Sequence, residues 1–351
     1  MSGHWSRHVV RAGLVLLALC APLLAPAYQA QMAVLWVMVL LSLTWDIMGG
    51  QMGYNSFGNI FYFGVGMYAT AVVERNLYFG VEEYTDIAGG AAAQLSVAQY
   101  FTGLGLGLGA AALLCLLFAV VIGYGILGLR GHYFAICTLG LALGAGEIAN
   151  GWDYIGAGSG LVTPLLPDAL GGRGTFYYYF FLILAALCFI TLRGLYAGRF
   201  GLAINAIRDD EEKAEAMGLR TTRYKTVAWS VSAVFLGLTG GAYGNLIGFI
   251  DPLDVAFSGA TLGVWMVLMA ILGGKGTLWG PVIGAFIFHI TQELFWTYLL
   301  GWQRVALGLL IVVIVVFFPQ GILGWLRMRW PRRFVATAPE TAGDAPSGES
   351  T

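Results

Sequence analysis

The chain has 351 residues, of which 58% are hydrophobic and 11% are charged, and its mean hydropathy is +0.77. A composition this apolar, with 51 glycines, excludes a soluble globular protein and predicts an all-α polytopic membrane protein. The formal net charge of -1 at pH 7 says little, because in a membrane protein the position of each charge decides the orientation.

Ten apolar segments are each long enough to cross a bilayer as a helix. They cover residues 9–27, 30–48, 54–73, 102–127, 132–150, 176–193, 226–248, 257–273, 278–297 and 303–321. All four cysteines lie within these segments and form no C-x-x-C pair. The sequence therefore predicts that the cysteines are packing residues and not disulfide partners or zinc ligands.

The basic residues are distributed unequally about these segments. With a cytoplasmic N-terminus, fifteen of the 18 Lys and Arg residues fall inside, and three, Arg75, Arg173 and Arg304, fall outside. Adding or removing one span in the middle nearly destroys this bias. It therefore favours ten transmembrane helices with cytoplasmic N and C termini.

The two ends of the chain have different compositions. Residues 1–29 combine Arg7 and Arg11 with an apolar run, a pattern typical of a first membrane helix and also of a signal peptide. We expect a retained helix, and cleavage would leave the later spans unchanged. Residues 326–351 lack an apolar period and are predicted to form a disordered cytoplasmic tail. The transmembrane domain then covers residues 30–325.

Glycines within the spans predict tight helix crossings, because they allow close backbone approach. The positions are Gly58, Gly64, Gly66, Gly273, Gly274, Gly276, Gly280 and Gly284. Residues 56–68 weakly echo residues 276–286, which leaves an inverted repeat open as an interpretation.

One long charged stretch, residues 194–225, separates the sixth and seventh spans. Within it, residues 209–218 predict a surface helix of about three turns, ~14 Å long. Asp209 is the expected N-cap, with Glu212 three residues later, and Gly218 is expected to end the helix. Lys225, beyond the helix, is expected to matter little.

The apolar stripe of this helix consists only of Ala214 and Met217, which is too narrow to hold it in lipid. We therefore interpret it as a docking surface for a soluble partner, with a solvated connector as the alternative. The residues predicted to carry docking are Arg208, Asp209, Glu212, Ala214, Met217 and Gly218.

No nucleotide-binding or catalytic motif is evident. Residues 273–277 superficially resemble a phosphate-binding loop, but glycine follows the lysine where Ser or Thr is required. The four histidines are scattered, without a nucleophile or metal pattern. We expect no catalytic residue, no metal site and no cofactor bound by this chain.

Several motifs occur in an order that resembles a known family. They are residues 56–68, 130–139, 152–161, 201–208 with the charged helix, 272–281 and 318–322. Together they resemble the inner-membrane permease subunits of branched-chain amino acid ABC importers, and the LivM-type subunit more than its LivH-type companion. The resemblance covers about residues 30–325. The stretch from Glu212 to Gly218 also resembles the E-A-A-x-x-x-G loop of such permeases.

This resemblance implies a set of partners. They are a second, LivH-type permease, two ABC ATPase subunits that bind ATP-Mg, and a periplasmic solute-binding protein. The charged helix is then the coupling helix of a multi-pass protein in the bacterial inner membrane. Asn59 and residues 156–160 depart from the family pattern, so the solute stays open between branched-chain or related amino acids and urea or short amides.

Polar groups inside the spans are candidates for the translocation path, since each is costly in hydrocarbon. The candidates are Asn55, Ser56, Asn59, Thr138, Glu147, His289 and Glu293. The alternative is that they join helices by hydrogen bonds. Two other functions remain: a stand-alone secondary transporter that couples through Asp46, Glu147 or His289, and a membrane-embedded structural protein or enzyme.

Overall fold

The computed structural model describes residues 18–78, 95–167, 172–299 and 321–329, together with scattered residues between 301 and 316. In chain order its helices are α1 (Gln29–Asp46), α2 (Asn59–Tyr78), α3 (Val97–Ile126), α4 (Gly131–Asn150), α5 (Arg173–Ala197), α6 (Arg199–Asp209), α7 (Glu211–Ala216), α8 (Thr221–Ile247), α9 (Val264–Gly273), α10 (Gly280–Tyr298) and α11 (Gly321–Arg329). A two-residue strand β1 (Leu161–Val162) pairs antiparallel with β2 (Phe249–Ile250).

The all-α prediction agrees with this architecture, and eight of the ten predicted spans coincide with helices. In the described part of the chain, six helical stretches are long and apolar enough to cross a membrane. Helices α2 and α10 have similar lengths but more polar residues. Residues 9–17 of the first predicted span and most of the tenth lie outside the described residues, as do both chain termini. The count of ten and the side of each terminus therefore stay predictions.

The predicted span at 257–273 is not one uniform α-helix. Two π-helical segments, Pro252–Ala256 and Gly259–Gly263, precede the ten-residue helix α9. Asp251 caps the first segment, its carboxylate accepting hydrogen bonds from the backbone N–H groups of Leu253 and Asp254. The chain therefore enters this span through irregular helical turns.

Glycines bring α2, α3 and α8 into close contact at the centre of the bundle. Gly66 meets the backbone of Gly237 on α8. A Cβ on Gly64 would lie 2.8 Å from the carbonyl oxygen of Ala256, which is closer than packing allows. The prediction of tight crossings is confirmed at these positions.

The remaining helices surround that centre. Helix α1 packs against α5, α9 and α10. In the most apolar window of the helical stretch Pro26–Gln51, which contains α1, 78% of the residues are buried, whereas the corresponding shares for α3, α4 and α5 are 22%, 28% and 28%. Such exposed apolar helix faces are expected where a bundle meets lipid or another membrane subunit.

The bundle has two distinct ends. At the end that we call the α7 end, the C-terminus of α3 meets the N-termini of α4 and α8, and α7 lies against them. At the opposite end, the β end, β1 pairs with β2. Arg75 there donates from Nη1 to the carbonyl oxygen of Tyr154 at 2.6 Å and lies over the Tyr154 ring.

Candidate functional site at the α7 end

Helix α7 begins one residue later than predicted. Its N-cap is Asp210, whose carboxylate accepts a hydrogen bond from the Lys213 backbone N–H at 3.1 Å. The Asp209 prediction was wrong because α6 continues through that residue, and Asp209 instead pairs with Arg208 at 3.2 Å. Helix α7 is also shorter than predicted, with six residues.

A local feature explains why α6 continues to residue 209. Ala203, Ile204 and Ile207 recur at helical spacing and are buried against the bundle. Helix α6 is therefore held by packing along its length, and the first residue free to leave helical geometry is Asp210. This apolar period is present in the sequence, but a separate helix was not predicted there.

Gly218 ends α7 as predicted. Its φ is +88°, its N–H donates to the Glu215 carbonyl at 2.9 Å, and the Leu219 N–H donates to the Ala214 carbonyl at 3.0 Å. These two bonds form a Schellman motif, in which glycine is favoured because a side chain strains the left-handed backbone. Among the described residues, no heavy atom other than those of Gly218 and its two chain neighbours lies within 4 Å of the position that a Cβ would take. The backbone angle therefore selects glycine here.

Helix α7 has an inner and an outer face. Ala214 is buried against the bundle, whereas Met217 is 87% exposed and Glu212 is exposed. The prediction that Ala214 and Met217 form one apolar stripe was therefore wrong, because the two side chains lie on different faces. Among the described residues, nothing covers Met217.

A buried ion pair joins α7 to α8. Lys225 is 1% exposed and pairs with Glu211, which also accepts a hydrogen bond from the Tyr54 hydroxyl. The Lys225 ammonium donates to the Tyr54 oxygen at 2.7 Å and to the Leu127 carbonyl at 3.2 Å. The expectation that Lys225 matters little to α7 was wrong, because Lys225 binds the first residue of that helix.

Arg130 completes what we call the α7 cluster: Tyr54, Arg130, Glu211 and Lys225. The Arg130 guanidinium lies 3.6 Å from Glu211, 3.1 Å from Glu212 and 3.0 Å from Glu215. Arg130 is the N-cap residue of α4. The cluster thus connects α7 to the segment before α2, the end of α3, the start of α4 and the first turns of α8.

The electrostatics of Glu211 follow from these contacts. Burial alone would raise its pKa. Hydrogen bonds from Lys225 and Tyr54, with the positive charges of Lys225 and Arg130, more than offset burial and hold the pKa of Glu211 below its ordinary value. Glu211 is therefore ionised at neutral pH and keeps its attraction for Lys225.

Arg208 makes a second connection between the charged segment and the spans. Its side chain packs over Gly53, where a Cβ would lie 3.2 Å from Arg208 Cγ. Nearby, Asp46 at the end of α1 accepts a hydrogen bond from the Gly276 backbone N–H at 2.8 Å. Asp46 therefore holds the 274–279 turn against α1.

Comparison with known proteins gives this arrangement a family. A family model described as branched-chain amino acid transport system / permease component matches residues 29–317. The chain belongs to this family. The match covers residues 30–317 of the transmembrane domain predicted at residues 30–325.

Individual relatives agree. The permease is 25% identical over 322 residues to the high-affinity branched-chain amino acid transport system permease protein LivM of Salmonella typhimurium, covering 83% of this chain and 68% of the relative. The match to LivM of Escherichia coli is 25% over 346 residues, covering 90% and 74%. The LivH protein of Escherichia coli is 32% identical over 128 residues, 36% of this chain and 40% of that protein. No solved structure gives a significant match.

Four of the seven path candidates of this permease lie on the same part of the fold. Thr138 of α4 accepts from the Phe57 backbone N–H at 3.2 Å, and the Ser56 side chain accepts from Gly58 at 3.3 Å. Asn59 is buried and lies 3.5 Å from Ser232 of α8. Asn55 is exposed in the same segment.

The other three candidates are separate from that group. Glu147 is exposed in the last turn of α4, toward the β end. His289 of α10 is buried against α1, where its Nε2 lies 3.0 Å from the Gln31 carbonyl. Glu293 is half-buried one turn farther along α10. The seven residues therefore do not form one cluster.

Sequence reasoning missed the α7 cluster as a unit. Its four members come from distant parts of the sequence, and Tyr54 and Glu211 are 157 residues apart. A partial signal was present, since Arg130 lies in a predicted inner loop and four acidic residues begin the charged helix. In the described part of the chain, no three His, Cys, Asp or Glu side chains are grouped to hold a metal ion.

Proposed function

We propose that this chain is one of two membrane permease subunits in an ATP-driven, binding-protein-dependent importer of branched-chain or related small amino acids. Membership of the permease family supports the transport role, and the names of the LivM relatives support the solute class. The similarity to both LivM and LivH proteins supports a companion permease of related fold.

The observation that carries the coupling role is the two-sided character of α7. Its inner face is fixed by the α7 cluster, and its outer face presents Glu212 and Met217 to solvent. A partner that pushes on the outer face displaces a helix whose inner face is bonded to four elements of the transmembrane domain. The motion is then transmitted to the spans and is not absorbed by a loose loop.

In the proposed importer, two ATPase subunits with ATP-Mg bind the α7 side, which is the cytoplasmic side. The solute arrives at the β end from a periplasmic binding protein. The seven polar candidates stay proposed path residues. Asn59 Oδ1 and His289 Nδ1 support this, because each is buried without a hydrogen-bond partner among the described residues.

Cross-linking tests the docking surface directly. We introduce Met217→Cys into a chain whose four native cysteines are replaced by alanine, and reconstitute it with the two ATPases and the companion permease. A short bifunctional thiol reagent should join residue 217 to an ATPase subunit. The matched control is Ala214→Cys, which lies on the buried face of the same helix and should give no product. Absence of any cross-link from residue 217 in a transport-active complex would exclude α7 as the docking helix.

A further inference from the structure

A groove lies beside α7, at the point where the chain passes into α8. Its volume is about 310 Å³, and it is bounded by the start of α6, the Gly218 turn and the first two turns of α8. The floor is apolar: the Phe200 and Tyr224 rings pack with centroids 5.7 Å apart, next to Leu219 and Val227. Arg220 and Arg223 form the rim and are exposed.

The two rim arginines differ from four neighbouring cations, each of which has an acidic partner. Arg130 pairs with three glutamates, Arg208 with Asp209, Lys213 with Asp210 and Lys225 with Glu211. All the carboxylates of residues 209–215 are used in those pairs. Within the described residues, neither Arg220 nor Arg223 makes a side-chain ion pair or hydrogen bond. The groove therefore has two positive charges that no acidic group of the segment balances.

The position of the groove places it at the membrane–water boundary. Lys225 follows the two rim arginines in the sequence and donates a hydrogen bond to the Leu127 carbonyl at the end of α3. Residues 220–225 therefore lie at the level where the spans end. Val227 is 46% exposed just beyond this level, and Leu202 on α6 is 74% exposed near the other wall. The open side of the groove thus passes from arginine to exposed aliphatic surface in the direction of the bilayer.

We propose that this groove binds one anionic phospholipid, with the phosphate between Arg220 and Arg223 and an acyl chain along Tyr224 and Val227. A lipid satisfies both features of the site, because its charged phosphate is joined to apolar chains. Arginine favours phosphate, since its planar donors match the phosphate oxygens. The groove lies at the level of the lipid headgroups whichever side of the membrane the α7 end faces.

A soluble protein partner fits the same groove less well. Water-exposed contact on this segment is provided by the outer face of α7, which is acidic and carries Met217. The groove is basic and opens beside aliphatic side chains that a soluble partner would leave uncovered. A lipid bound there would lie directly against the Gly218 turn, and so would set the position of α7 relative to the bilayer.

Native mass spectrometry of the full-length chain tests this inference. The purified protein is exchanged into detergent containing equal amounts of phosphatidylglycerol and phosphatidylcholine. We expect one phosphatidylglycerol to be retained by the parent chain and retention to fall about tenfold or more in the Arg220→Gln/Arg223→Gln variant. Val227→Trp should lower retention similarly, because the larger ring fills the groove while both arginines remain.

Arg193→Gln is the matched control. Arg193 is exposed near the C-terminus of α5 but does not line the groove. It should retain the lipid. Equal loss in the Arg193 variant would show diffuse charge attraction and overturn the site, as would equal retention of phosphatidylcholine. The proposal would also be overturned if the groove variants retained phosphatidylglycerol as the parent chain does but no longer associated with the ATPases. That result would assign the groove to the protein partner.

Discussion

Lys225 lies where four parts of the chain meet, and each of its three ammonium protons has an acceptor. The acceptors are the Glu211 carboxylate, the Tyr54 hydroxyl oxygen and the Leu127 carbonyl. A buried ammonium is tolerated only when its charge is paired and its donors are satisfied. Because all three of its donors are satisfied, Lys225 holds α7 firmly against the spans.

Replacing Lys225 should therefore be costly. Lys225→Gln removes the charge opposite Glu211, and we expect the free energy of unfolding to fall by about 2–3 kcal/mol. This is less than the usual cost of breaking a fully buried pair, because the Glu211 side chain is 11% exposed. Thermal unfolding of the purified chain measures it. The Glu211→Gln/Lys225→Gln double variant should be less destabilised than the sum of the two single variants. Additive losses would mean that the two side chains do not interact.

The same pair predicts a pH dependence. Because the pKa of Glu211 is lowered in the folded chain, its contribution is fully present above the ordinary value of 4.5 and is lost as the pH falls through the lower, folded value. The protection of α7 amides against hydrogen exchange, relative to the intrinsic exchange rate at each pH, should therefore decrease only at acidic pH, below about 4.5. Glu211→Gln should abolish this acid step. An unchanged step in that variant would assign the titration to another group.

Single residues of this site could be predicted from the sequence only where the signal is local. Gly218 was recognised because a glycine after a helical run is a helix stop. Lys225 was not, because its role depends on Tyr54, 171 residues away, and one sequence contains no information about that contact. Asp209 and Asp210 are chemically equivalent N-caps, and the packing of α6 decides between them.

At the scale of one element, the contacts at the two ends of α7 stabilise it more than its own internal hydrogen bonds do. Six residues are too few for an isolated helix to be stable in water, so the Asp210 cap, the Gly218 turn and the α7 cluster maintain it. A partner therefore meets a preformed surface, with no cost of ordering the helix at each docking event.

Gly218→Val tests this element. A β-branched residue at φ +88° should cost about 1–3 kcal/mol in local strain, which displaces the turn without unfolding the packed spans. We expect membrane insertion to persist while ATPase association and uptake fall together. Gly218→Asn is the control, because asparagine tolerates the left-handed region. Normal assembly and transport by the valine variant would favour the solvated-connector interpretation.

The predictability of elements also varied with their regularity. Long apolar runs predicted where eight helices lie, because apolar length is a property of the sequence alone, although α9 covers only Val264–Gly273 of its predicted span 257–273. The π-helical entry to α9 was not predicted, since it depends on how Asp251 and its neighbours pack against α2 and α4.

At the scale of the whole molecule, the charge distribution predicts an orientation that labelling can check. Single cysteines at Thr85 and Ser347, in a chain without other cysteines, should react with an impermeant thiol reagent from opposite sides of the membrane. Residue 85 is expected outside and residue 347 in the cytoplasm. Reaction of both from one side would mean that the number of spans between residues 85 and 347 is even, whereas the ten predicted spans place seven between them.

Family and fold class could be read from the sequence because many motifs and many apolar segments contribute to each. The inverted repeat stays a prediction, since it rests on one weak echo between residues 56–68 and 276–286. The path residues are also unsettled by sequence, because a polar group within a span contacts solute or joins helices with the same side chain. Their separation into three places in the fold was visible only in three dimensions.

The central claim, that this permease works through an ATPase docked on α7, is tested most directly by uptake into proteoliposomes. Radiolabelled leucine is supplied with the binding protein, and vesicles contain this chain and its companion permease, with or without the two ATPases. We predict uptake only when the ATPases and ATP-Mg are both present, and no response to a proton or sodium gradient. Gradient-driven uptake by vesicles that contain this chain alone would contradict the account.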